Sequence, residues 1–399
     1  MLEAFIYDGL RSPFGRHAGC LAGVRPDDLV AEVMRAVMAR SPWKPEEVED
    51  VLLGCTNQAG EDSRNVARHA ALLAGFPATT PAQTVNRLCA SGLAAVVDAA
   101  RAVTCGEGEL YLAGGVESMS RAPFAMAKAE APWSREVRVF DTTIGARFAN
   151  PRHVKAWGAD SMPETGNNVA REYGITREKA DRFAEGSQRK FEKARAAGFH
   201  AGEIHPVPVP SRKGPPAVVK EDEHPRPDTT LDGLARLKPL FEGGVVTAGN
   251  ASGINDGAAA LLVGNRAVGE KAGKKPLCRI LAAGAVGVEP RVMGIGPVGA
   301  VRKALARAGR KLADMDVIEI NEAFASQVLS CLKLLEIPFD DSRVNPNGGA
   351  IAVGHPLGAS GARLALTVAR ELQRRGGRYA VASLCIGVGQ GLAMVIERA

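Results

Sequence analysis

Cys89 stands in "NRLCASGLAAVVDAARAV", where a β-like stretch bends into an apolar helix. A thiol at a helix N-terminus meets free amide N–H groups and the positive end of the helix dipole, and both favour the thiolate. A thiolate attacks carbonyls and thioesters readily. The alternative for a single cysteine is a buried structural role. His355 narrows that choice. It occupies a Gly-rich turn, "GGAIAVGHPLGASG", just ahead of a second helix. Histidine is the natural base for a thiol, and small neighbours leave room for a substrate. Its plain alternative is a turn histidine bonded to backbone. Cys385 ends an apolar strand in "SLCIGVGQG", where the glycines expose N–H groups able to hold an oxyanion. Asn321, in "EINEAFA", ends another strand with an amide able to bind an oxyanion through water. Glu322 beside it is a rival acid, with a helix-start role as its alternative. "GIGPVG" at 294–299 matches the dinucleotide pattern GxGxxG, with Glu319 beyond it. The preceding "VEPRVM" does not read as a buried strand, so this match lacks its required context.

These candidates fall at strand ends or strand–helix turns, where α/β folds place their sites. Two stretches of the chain resemble each other in order. Val51 in "VEDVLLGC" and Val317 in "DMDVIEIN" lie 266 residues apart, as do Cys89 and His355. The two "ASG" triplets, 90–92 and 359–361, lie 269 apart. Each opens a helix followed by a strand, "ELYLAGG" or "RYAVASLC". This spacing implies a duplicated β/α unit with His355 as the pseudo-symmetric counterpart of Cys89. Alternation of strand and helix predicts mostly parallel sheets. The helix after Cys89 is apolar nearly all round and belongs between layers. Residues 121–249 differ, holding 12 of the 24 prolines and 21 Lys and Arg against 17 Asp and Glu. Within them, 176–198 predicts an amphipathic helix burying Ala180, Phe183, Ala184 and Phe191. The expected organisation is one half from 1–120 and 250–270, an inserted loop domain at 121–249, and a second half at 271–399.

The formal net charge of +6 on 399 residues is modest and has no basic run, so it is weak ground for nucleic acid and suits a polyanionic small molecule equally well; no nucleic-acid partner is expected. Seven scattered cysteines without a CxxC pair argue against a disulfide framework or a zinc site. No uninterrupted apolar run spans a bilayer, and the N-terminal stretch lacks the apolar segment of a signal peptide. The expectation is a cytoplasmic protein without membrane partners.

Together, "NRLCASG", "GGVESMSRAPF", "NASGINDGAAA", "NEAFA", "NPNGGAIAVGHPLGASGAR" and "CIGVGQG" resemble the thiolase family, the acetyl-CoA C-acyltransferases, over essentially the whole chain. The resemblance implies the thiolase fold, two duplicated α/β halves packed as five layers (αβαβα) with a loop domain that binds coenzyme A. It implies that Cys89 carries the acyl group, His355 activates it, and Cys385 moves the proton at the α-carbon of acetyl-CoA. Asn321 with a water, and His355, would form one oxyanion site; the N–H groups of Cys89 and Gly387 would form the other. Ser252 would contact coenzyme A, with Met162, Met293, Ala323 and Phe324 lining the acyl and pantetheine pocket. Coenzyme A enters as a substrate, no metal or redox cofactor is implied, and a homodimer or homotetramer is expected. Two segments depart from the acetoacetyl-CoA branch. Ser161 precedes Met162 where a histidine is usual, and "CIGVGQG" replaces "CIGGGMG". "NQAGEDSRNVAR", "SRAPFAMAKAE" and "DTTIGARF" look more like the 3-oxoadipyl-CoA thiolases of aromatic catabolism. Arg64, Arg68 and Arg147 are then candidates to meet a substrate carboxylate, each with an ordinary surface or interface charge as its alternative. The rival classes are an inactive thiolase-fold scaffold and a ketosynthase-like condensing enzyme; the second cysteine, Cys385, points away from the latter.

Overall fold

A computed structural model describes residues 1–211 and 214–399. Nine strands and eight helices position the site. In the first half these are β1 (Ala4–Arg11), α1 (Pro26–Ala39), β2 (Asp50–Gly54), α2 (Val66–Leu73), β3 (Ala82–Val85), α3 (Ser91–Cys105), β4 (Leu110–Ser118) and β5 (Asn255–Gly264). Between β4 and β5 the chain leaves the sheet and forms α4 (Met162–Tyr173) and α5 (Arg177–Ala196). The second half comprises β6 (Cys278–Gly287), α6 (Gly296–Ala308), β7 (Val317–Ile320), α7 (Ala325–Leu334), α8 (Leu357–Arg375), β8 (Tyr379–Ile386) and β9 (Gln390–Arg398).

The strand order is β3-β2-β4-β5-β1 in the first half and β7-β8-β9-β6 in the second, joined edge to edge where β1 pairs with β6. An isolated bridge between Ile318 and Val344 stands where β3 stands in the first half. The duplication is therefore present strand for strand. The sheets are mixed, however, and not mostly parallel. Only β2–β3, β2–β4 and β7–β8 run parallel, while β4–β5, β5–β1, β1–β6, β6–β9 and β9–β8 run antiparallel. The cause is local in the second half: the turn Gly387–Gly389 folds β8 straight back into β9, with no crossover helix.

Burial sorts the elements into five layers. The apolar residues of α3 and α8 share one core with inward-facing residues of both half-sheets, while α1 and α2 cover the first half and α6 and α7 the second. Leu88–Cys105 is apolar enough by composition to cross a membrane, a property the sequence reading did not credit; here it lies in the central layer. Each fully buried Leu or Val there contributes about 1.5–3 kcal/mol of transfer free energy. The two central helices touch through glycine. A Cβ on Gly92 would stand 2.5 Å from the Gly358 carbonyl, and one on Gly361 would strike the Leu93 backbone. This close crossing sets the starts of α3 and α8 side by side.

The segment between β4 and β5 is tied down by buried polar contacts. Arg11 meets Glu203 at 2.8 Å and Asp222 at 2.6 Å, and Asn250 donates to Asp181 at 2.9 Å. Helix α5 starts at the Thr176 cap and buries Ala180, Ala184 and Phe191 as expected, but Phe183 is only half-buried. The same face carries Ser187 and Gln188, which bond Glu322 and the Ile351 carbonyl, so the segment packs on the second half as well.

Candidate active site

Cys89 sits in a tight turn just ahead of α3, with Ala90 at the helix cap. The Asn86 side chain accepts from Leu88 N–H at 3.0 Å, and Ser91 Oγ accepts from Arg87 N–H at 2.9 Å and donates to the Leu88 carbonyl at 2.6 Å. Leu88 takes a left-handed φ of 46°, which reverses the chain and presents Cys89 beside the Gly387 turn. The Gly387 N–H lies on the side of the Cys89 sulfur and favours its thiolate.

His355 follows Gly354, whose φ of 102° suits glycine. Its own N–H donates to Asn255 Oδ1 at 2.9 Å. Ser360 Oγ donates to the Pro356 carbonyl at 2.8 Å, so it accepts from His355 Nδ1 at 2.6 Å. That bond fixes the tautomer: Nδ1 carries the hydrogen and Nε2 offers its lone pair. Asn321 Nδ2 lies 3.3 Å from this Nε2. Asn321 is held at the end of β7 by its N–H on the Ser383 carbonyl at 2.9 Å.

Cys385, one residue before the end of β8, is buried with Met293, Ala323, Phe324, Val246 and Ala251, and Met162 packs against this group. A Cβ on Gly387 would lie 3.7 Å from Met162 Sδ. Ser252 N–H donates to the Ala323 carbonyl at 3.0 Å. The fold thus gathers the named residues around two neighbouring turns.

Electrostatics separate their chemistry. Burial, and behind it the Arg363 charge, depresses the His355 pKa to about 3, so the resting imidazole is neutral and its Nε2 lone pair is unprotonated. Burial pushes the Cys385 thiol well up, with Cys89 and Cys331 adding to the rise, so it is held protonated. The Cys89 thiol is also raised. Burial outweighs the N–H groups of Gly387 and Cys89, contrary to the expectation from the helix start alone. At rest the Cys89 sulfur is a thiol, and forming its thiolate requires that a proton be removed.

Several sequence candidates leave the site. Glu322 is consumed by structure, accepting from Ser187 at 2.6 Å, Asn345 at 2.8 Å and the Ile351 N–H at 3.1 Å. "GIGPVG" begins inside a 3-10 turn, Pro290–Ile295, and not after a strand, and Gly296 lets α6 lie against the Gln390 carbonyl. Arg68 is spent on the Thr80 and Ala78 carbonyls at 2.6 and 2.9 Å. Arg64 is exposed; Arg147 is not removed in this way, since it is half-buried and makes one long bond, 3.4 Å, to the Thr142 carbonyl. Asn255, Ser360 and Glu117 are the residues the sequence reading missed. Buried Glu117 accepts from Thr56 N–H at 3.0 Å, Asn57 N–H at 3.1 Å and Gly358 N–H at 2.9 Å, tying β4 to the start of α8. Asn255 and Ser360 lie inside motifs already singled out, but only tertiary contact reveals their partners.

A thiol beside a glycine turn, a neutral histidine and a second, protonated thiol are groups whose chemistry suits acyl transfer. The family models agree with that geometry: "Thiolase, N-terminal domain" matches residues 4–267 and "Thiolase, C-terminal domain" matches 274–398. The chain belongs to the thiolase family of acyltransferases. More particularly, it is 56% identical over 400 residues to a beta-ketoadipyl-CoA thiolase of Escherichia coli, with 100% of both chains covered. A beta-ketoadipyl-CoA thiolase of Acinetobacter baylyi is 54% identical over 402 residues, also with 100% of both covered. Among solved structures, human mitochondrial 3-ketoacyl-CoA thiolase in complex with CoA superposes with a TM-score of 0.92 at 39% identity, covering 100% of this chain and 98% of that one.

The raised Cys89 thiol gives a direct expectation. Its alkylation by iodoacetamide should climb steadily with pH, and His355→Ala should slow it roughly tenfold or more at neutral pH. Exposed Cys105 provides the internal control, since its rate should not change. Peptide mass spectrometry after timed labelling reads both sites; equal rates at Cys89 with and without His355 would remove the histidine from the activation step.

Proposed function

We propose that this protein cleaves 3-oxoadipyl-CoA with coenzyme A to give succinyl-CoA and acetyl-CoA, through an acyl group on Cys89. The observation that carries the reading is the meeting of Cys89, the Gly387 N–H, the His355–Asn321 pair and Cys385 in one place, on a chain more than half identical to beta-ketoadipyl-CoA thiolases.

In this mechanism His355 Nε2 takes the Cys89 proton as sulfur attacks the 3-keto carbon. The N–H groups of Cys89 and Gly387 hold the oxyanion of the tetrahedral intermediate. The bond between C2 and C3 breaks, and Cys385 protonates C2 of the departing acetyl-CoA enolate, whose oxygen is held by Asn321 through water and by His355. Coenzyme A then attacks the succinyl thioester on Cys89. Its thiol proton restores Cys385, and the imidazolium returns its proton to Cys89. Every proton is accounted for by the two thiols and the imidazole, so the cycle needs coenzyme A only as a substrate. Residues 121–249 would serve as the coenzyme A loop domain, with Ser252, Met162, Met293, Ala323 and Phe324 lining the channel.

Assembly as a homodimer or homotetramer in the cytoplasm belongs to the same reading. Its support is the hairpin Phe124–Met126/Val139–Asp141, where Phe124, Met126 and nearby Trp133 are 75, 65 and 97% exposed. Light scattering should return two or four chains; a single-chain mass would reject it.

A distal carboxylate entering the acyl pocket needs a cation, because burying it alone is costly. Arg147 is the best-placed candidate. Its loop is tied through Thr142 to Asn57, next to Glu117, and through Thr56 and Asn86 toward the Cys89 turn. The reading expects kcat/KM for 3-oxoadipyl-CoA to exceed that for acetoacetyl-CoA and for a medium-chain 3-oxoacyl-CoA under one condition. Arg147→Ala should cost about 2–5 kcal/mol for the dicarboxylic substrate and little for acetoacetyl-CoA. A preference for neutral chains would leave a general 3-ketoacyl-CoA thiolase instead.

A further inference from the structure

At the end of α8 remote from His355, the two halves frame a cleft of about 350 Å³. Arg370 lies on its wall, about 20 Å along the helix axis from Leu357, where α8 starts beside the active-site turns. Four cations line the cleft, Arg40, Lys274, Lys275 and Arg370, with one carboxylate, Asp8. They come from separate elements. Arg40 follows the last residue of α1, Asp8 is in β1, Lys274 and Lys275 lead into β6, and Arg370 is on α8.

Asp8 does not neutralise this group. Its Oδ1 accepts from the Gly9 N–H at 2.8 Å and from Arg40 at 3.2 Å, and its Oδ2 lies 3.5 Å from Lys274 Nζ. Among the described residues, Lys275 and Arg370 make no hydrogen bond or ion pair. Glu203, the other carboxylate acting on Arg370, is bonded to Arg11 at 2.8 Å and faces His200 at 3.4 Å. Arg370 is half-buried against the backbone of Gly202, where a Cβ would stand 2.2 Å from its Nη2. Glycine leaves the room that the guanidinium fills. Burial lowers the Arg370 pKa, and Arg40 adds to that against the pull of Glu203 and Asp8. A solvated basic face holds its charges apart. Here four of them converge from different parts of the chain, and a cleft lined by one sign of charge focuses its field on an anion.

We propose that this cleft is a second anion site, remote from the active site, that binds a diphosphate group. Two linked phosphoryl groups match the positive charge left when Asp8 is set against the four cations. The Arg40 and Arg370 forks suit phosphate oxygens, and the two lysines add point charges. A sulfate ion carries too little charge to satisfy them all. Bound there, a diphosphate ties α1 and β1 of the first half to α8 and the approach to β6 of the second. It does so beside the seam where β1 pairs with β6. The site is independent of the acyl-transfer reading.

The test is isothermal titration calorimetry of the whole protein with sodium pyrophosphate at low salt, paired with thermal melts. The unaltered protein should bind pyrophosphate less tightly as salt rises, and its Tm should climb with the ligand. Arg370→Gln and Lys275→Gln should each weaken binding by roughly fivefold or more and shrink the rise in Tm. Lys311→Gln, at an exposed cation elsewhere, should change neither. Lys275 is exposed too, so its variant is readable even if Arg370→Gln does not fold. ADP presents the same group and is titrated in parallel. Tighter binding of ADP assigns the cleft to a nucleotide, and weaker binding assigns it to the free anion; both support a diphosphate site. No binding by the unaltered protein overturns the proposal, as does sulfate binding as tightly as pyrophosphate. So does pyrophosphate binding that a folded variant of Arg370 or Lys275 leaves intact, since the anion then sits elsewhere.

Discussion

Everything in the site depends on two buried helices meeting without side chains between them. Gly92 on α3 and Gly358 and Gly361 on α8 bring the backbones into contact. A methyl group at this crossing would push the helices apart, and the helix starts would separate with them. Those starts carry the Cys89 turn and the His355 turn. Glu117 reinforces the crossing by accepting from the Thr56 N–H of one half and the Gly358 N–H that opens α8. The duplicated architecture is thus the means by which two distant segments become one site.

The same burial that holds the layers together sets the reactivity. It raises both thiols and lowers the imidazole. All three resting groups are neutral, so the interior avoids the cost of isolated charges. Charge develops only as bonds change, next to N–H groups already in place to receive it. Burial, with Cys89 and Cys331 behind it, pushes the Cys385 thiol well up, whereas the Gly387 and Cys89 N–H groups pull against burial at Cys89. Two chemically identical side chains acquire different proton affinities from their surroundings.

Much of this was legible in the sequence because duplication leaves a register. The common offset of Cys89 from His355 and of Val51 from Val317 located the two turns and paired the halves. The apolar character of α3 located the central layer. Strand direction was not legible: β9 follows β8 through a short turn that reads like the start of another crossover. The state of Cys89 was misjudged because a helix start is a local feature, while desolvation comes from every layer around it. Asn255 and Ser360 were invisible as site residues, since one fixes the His355 backbone and the other its ring only after folding brings them together. Glu322 shows the converse: its sequence position suggested chemistry, and three buried donors claim it.

The central claim is that acyl transfer passes through Cys89 and no other thiol. Brief exposure of the whole protein to acetyl-CoA, acid quenching, digestion and peptide mass spectrometry locates the acetyl group directly. The account predicts a single acetyl thioester on Cys89 that disappears when coenzyme A is added in excess. Acetylation confined to Cys385 or to any other cysteine, or an acetyl group that coenzyme A does not remove, would contradict it.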